Sequence, residues 1–102
     1  SSSAILAAGN AKLDNLDTEI ANKLNSSNSK ERYAAASVLA RNPEHYDELI
    51  QHLSLEQSDL VSYAILTNLD ATQLTGQQKD NLRDVASNTS ADISKVILQL
   101  ID

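Results

Sequence analysis

The chain predicts an all-α fold of about six short antiparallel helices arranged as three helical hairpins. Three observations carry this. Apolar residues recur at helical spacing, as in Leu13, Leu16, Ile20 and Leu24, where steps of three and four make one stripe on a helix. Only two Gly and one Pro occur in 102 residues, too few for the many turns of an all-β sandwich. Finally, Ser58–Asp70 and Ser90–Asp102 match when laid over each other 32 residues apart. They share Ser58/Ser90, Ser62/Ser94, Ile65/Ile97, Leu66/Leu98 and Asp70/Asp102, with Val61/Ile93, Ala64/Val96 and Leu69/Ile101 conservative.

In chain order, Ser1 to Ser3 read as a disordered tail ahead of a single all-α domain. A first helix follows over 10–25, with Gly9 a weak point before it. It stops in the polar run Asn25-Ser-Ser-Asn-Ser29. Asn28 or Ser29 is placed to cap the next helix, over 30–41, whose centre Tyr33-Ala-Ala-Ala-Ser-Val-Leu-Ala40 is Ala-rich. Alanine is the least costly helix residue, and its small side chain lets another backbone approach. Asn42-Pro43-Glu44 is a helix start: Asn at the N-cap, Pro in the first turn, an acid near the positive end. The helix over 43–53 turns Tyr46, Leu49, Ile50 and Leu53 to one side. Ser58 is expected to cap the helix that ends near Asp70. Thr75 and Gln78 form a capping box for the next, to about Ser87, with Leu82, Val85 and Ala86 inward. The last helix begins at Ser90. The hairpins fall at about 10–41, 43–70 and 76–102. Helices this short are marginal alone, so packing must hold them.

The last helix carries Ile93, Val96, Ile97, Leu98, Leu100 and Ile101, more apolar surface than one neighbour covers. It is expected to pack centrally or to meet another molecule, including self-association through this C-terminal helix.

Composition excludes several functions. Net charge is −6, and neither half is basic, so a nucleic-acid-binding helical repeat is disfavoured for want of its electrostatic footprint. No Cys means no disulfide, thiolate catalysis or Cys-based metal site, and fits the cytosol as well as a periplasmic or secreted location. No apolar run approaches the ~20 residues of a transmembrane helix. A start at Ser1 without Met points to a processed chain or an excised piece.

His45, Glu48 and His52 share a helix face at i, i+3 and i+7. The two His lie about 10.5 Å apart along the axis, too far for one metal ion. They read as exposed histidines on a solvated face. The acidic pairs Asp14/Asp17, Asp47/Glu48 and Asp80/Asp84 fit helix first turns or outer faces, and no calcium loop, nucleophile elbow or glycine-rich phosphate loop is present. Neither a catalytic residue nor a cofactor site is expected. The sequons at Asn25 and Asn88 are what a chain rich in Asn and Ser produces by chance.

The stretch Glu31-Arg32-Tyr33-Ala34-Ala35-Ala36-Ser37-Val38-Leu39 resembles the second helix of HEAT-type repeats, in which a charged residue precedes Ala pairs and a Leu. Asp59-Leu-Val-Ser-Tyr-Ala-Ile-Leu66 is a looser match, and Pro43 stands where such repeats carry Pro in their first helix. The resemblance covers about residues 11–102. It implies an α-α superhelix whose second helices line a concave, partner-binding face. Arg32, Ser37 and Arg41, then Ser62, Tyr63 and Thr67, then Lys95 and Gln99 would point outward there, with Tyr33 at the edge. Arg32, Tyr33, Arg41, Tyr63 and Lys95 are the partner-binding candidates, Tyr and Arg being enriched at interface hot spots. The expected function is a non-enzymatic module for protein–protein interaction or scaffolding. The alternatives are a compact irregular helical bundle as fold, and a structural helical domain of a larger enzyme or secreted protein as function.

Overall fold

Helix starts follow the capping residues. In the computed structural model, which describes residues 18–102, Asn28 accepts the Lys30 N–H and opens a helix at Ser29–Leu39. Asn42 accepts the Glu44 N–H and opens a 3₁₀ turn at Pro43–His45, which runs into a helix at Tyr46–Leu53. Thr75 and Gln78 form the expected reciprocal box before Gly76–Ala86. Ser90 accepts from the Ile93 N–H before Ala91–Ile101. With the helical residues 18–23 as α1, these are α2 (Ser29–Leu39), α3 (Tyr46–Leu53), α4 (Asp59–Asn68), α5 (Gly76–Ala86) and α6 (Ala91–Ile101). The structure is all-α: no strand occurs among the described residues. The expectations for residues 1–17, including the tail, Leu13 and Leu16, lie outside them.

One helix start differs from expectation. Ser58 sits at the N-cap of α4 with extended backbone, yet its hydroxyl makes no capping bond. The carboxylate of Glu56 instead accepts the N–H groups of Gln57 (3.0 Å) and Ser58 (2.9 Å).

The even-numbered helices form a row, α2 on α4 and α4 on α6. α3 packs chiefly on α5, and α5 on α6. Ala35, Ala36 and Ala40 are all buried on α2, so the Ala-rich stretch lets α4 come close. Leu39, Leu49, Val61, Ile65, Leu66, Leu82, Ile93 and Ile97 are the largest fully buried side chains. Each contributes roughly 1.5–3 kcal/mol by leaving water. Tyr46, Leu49, Ile50 and Leu53 face inward as their spacing predicts. Tyr46 is buried to the ring's end, where its hydroxyl accepts the Asp70 N–H at 3.0 Å. That bond ties the turn after α4 to α3, and Gln78 Nε2 donating to Asp47 Oδ1 at 3.0 Å adds a second tie from α5 to α3.

α6 accounts for its apolar surplus by having two partners, α4 and α5. Ile93, Ile97 and Ile101 are buried, and Val96 and Leu100 pack against the core. Leu98 is the member left exposed. The surplus therefore needs no second molecule to cover it.

Candidate functional site

Glu56 organises the most polar interior cluster. It lies in the turn between α3 and α4, and its side chain is fully buried. Arg32 of α2 meets it side-on, with Nε 3.0 Å from Oε1 and Nη2 3.1 Å from Oε2. The other guanidinium nitrogen, Nη1, donates to the Ser26 carbonyl at 2.9 Å. His52 of α3, one turn before Glu56, places Nε2 2.7 Å from Oε1. With the two backbone N–H groups, the carboxylate is saturated with donors. Burial alone pushes the Glu56 carboxyl up, the largest single influence. The hydrogen bonds from Arg32, His52 and the Ser58 N–H, with the Arg32 charge, together outweigh it and hold Glu56 below the ordinary glutamate value. An ionised carboxylate only accepts, so His52 carries its proton on Nε2.

A cleft of about 210 Å³ opens beside this cluster between the 24–26 turn and the α3–α4 turn. A second, of about 270 Å³, adjoins it along α3 and shares Leu24, Asn25, His52 and Leu55. A carboxylate–imidazole pair can orient a base, but it needs something to act on. Ser26, whose residue supplies the one hydroxyl lining the first cleft, donates that hydroxyl to Glu31 Oε2 at 2.6 Å. The cluster is built as a clasp: it joins α2, α3, the α1–α2 turn and the start of α4. No group of three potential metal ligands occurs among the described residues.

This corrects two expectations. His52 is buried rather than solvent-facing, because Glu56 four residues on folds back beneath it. His45 is half-buried, its Nδ1 3.4 Å from Glu48 Oε1. Arg32, expected on the outer face, turns its charge inward to Glu56.

The other candidates lie on or just after the helices of the α2–α4–α6 row. Tyr33 is 48% exposed and Leu60 is 71% exposed. They line one groove of about 180 Å³ between the first turns of α2 and α4, together with Ser29, Lys30, Ser58 and Val61. Tyr63, three residues after Leu60, is half-buried against the core. Arg41, Thr67, Lys95 and Gln99 are exposed. Ser62 is buried, contrary to its expected outward position, because α4 has a neighbour on each flank. Leu60 escaped notice in the sequence because it breaks the apolar pattern of α4: it stands one residue before the inward Val61. Glu56 escaped because the Ser54–Gln57 segment reads as a plain connection, its only signal being the i, i+4 step from His52.

Comparison with known family models, curated proteins and solved structures gives no match.

Proposed function

We propose that this is a non-enzymatic helical scaffold that binds a protein partner across the outer side of the α2–α4–α6 row. The observation that carries the reading is the groove where Tyr33 and Leu60 stand exposed together. A large aliphatic side chain 71% in water, beside an aromatic ring, is apolar area that a partner can cover. Tyr63, Arg41 and Lys95, which do not line this groove, are further candidate contacts for the same partner. The interior cluster supports the non-enzymatic part, since both carboxylate oxygens of Glu56 are spent on holding elements together. Packing of alternate helices on one another, α2 on α4 on α6, is compatible with stacked HEAT-like hairpins.

The test is selection of displayed random peptides on the wild-type chain, followed by binding assays on the double variant Tyr33→Ser/Leu60→Ser. Both side chains are exposed, so circular dichroism should show an unchanged helix content. Selected peptides are expected to lose at least about tenfold in affinity, the 1.4 kcal/mol of one modest hot spot. Selected peptides that bind the double variant equally well refute the reading.

A further inference from the structure

We infer that the groove between the first turns of α2 and α4 takes a short peptide segment in which an apolar side chain is followed by a carboxylate. The inference rests on the interaction reading above and names the chemistry of the partner. Tyr33, Leu60 and Val61 give the groove its apolar wall. Its volume of about 180 Å³ is below the ~300–1,000 Å³ of small-molecule sites and suits a single side chain. Lys30 is the one charged residue among those lining it, and its ammonium takes part in none of the ion pairs among the described residues. Of the carboxylates close in sequence to the lining residues, Glu31 accepts the Ser26 hydroxyl and Glu56 is held by Arg32 and His52. Asp59 is exposed but does not line the groove.

Two hydroxyls complete the rim. Ser58 holds the N-cap position of α4 without making a capping bond. It lines the groove, as does Ser29. An apolar wall with one cation and two serine hydroxyls beside it is complementary to an apolar side chain followed by an acid. A second copy of the chain is a poorer occupant, since two chains of charge −6 repel each other.

The experiment titrates the ¹⁵N-labelled chain with three end-capped peptides, Gly-Ser-Leu-Asp-Gly, Gly-Ser-Leu-Asn-Gly and Gly-Ser-Leu-Lys-Gly, and follows amide shifts. Shifts are expected at Lys30, Tyr33, Leu60 and Val61. The Asp peptide should bind about two- to fivefold tighter than the Asn peptide, the range of an exposed ion pair, with the Lys peptide weakest. High salt should narrow that difference. Lys30→Ala should remove the Asp-over-Asn preference while leucine binding persists, and Leu60→Ser should weaken all three. Equal binding of the three peptides, or preference for the Lys peptide, overturns the carboxylate assignment while leaving the protein-binding face standing. Shifts absent from these amides overturn the groove as a peptide site. Shifts at the same amides that grow with chain concentration alone assign the groove to a second copy, and likewise overturn the inference.

Discussion

α4 and α6 share a sequence pattern and are unequal in structure. Val61 and Ile93, Ile65 and Ile97, and Leu69 and Ile101 are buried in both. Leu66 and Leu98 are the same residue at aligned positions 32 residues apart, yet Leu66 is 2% exposed and Leu98 43%. Ser62 is buried and Ser94 only half-buried. The cause is position in the row. α4 lies between α2 and α6, while in that row α6 has only α4 beside it. One helix face is thus set by the shared apolar spacing and a second by the neighbour. The starts of the two helices differ as well. α6 begins with Ser90 bonding its own first turn, whereas α4 begins under the buried Glu56.

The largest expected effect strikes that second difference. Glu56→Ala removes the acceptor of Arg32 and His52 and leaves the guanidinium without its partner. It should destabilise the fold by about 3–5 kcal/mol in urea unfolding, and a loss under ~1 kcal/mol would show the clasp to be incidental. Next, Leu66→Ala should cost about 2–5 kcal/mol. The same change at Leu98 should stay within ~0.5 kcal/mol. Equal costs at the two sites would remove the neighbour argument. At the helix starts, Ser90→Ala should cost about 1 kcal/mol. Ser58→Ala should cost only a few tenths, since that hydroxyl caps nothing.

The pH profile sharpens the same contrast. The Glu56 carboxyl is lowered in the fold relative to the unfolded chain. Its contribution is therefore fully present above the unfolded glutamate value and is lost as pH falls through the folded value. Thermal midpoints of wild type should hold from neutral pH to about pH 5 and then fall. Glu56→Gln should be less stable at neutral pH and should fall less steeply in acid. Asp70, held low by the Thr72 hydroxyl and backbone N–H, adds a shallower slope of the same sign to both proteins. Parallel profiles would mean that Glu56 carries no acid-linked stability.

What could be read in the sequence was local. Asn28, Asn42, Thr75 with Gln78, and Ser90 announce helix starts because a cap bonds within its own turn. The inward stripe Tyr46, Leu49, Ile50 and Leu53 announces itself by spacing. What could not be read depends on a partner distant in the chain. Arg32 has the composition of a surface residue, and only α4 docking brings Glu56 to it across 24 positions. Ser62 looks like a polar face until α4 acquires its second neighbour. Leu60, the residue that matters most for the groove, carries no signal beyond being apolar next to an inward Val61.

The clasp also reaches the amides of a surface turn. Gln57 is exposed, yet its N–H and that of Ser58 both end on a carboxylate that Arg32 holds from another helix. Their exchange with solvent deuterium should therefore be slowed while Arg32 holds the carboxylate in place. Two loop amides become reporters of whether α2 stays joined to the α3–α4 turn, and their protection should fall together when Arg32 is replaced.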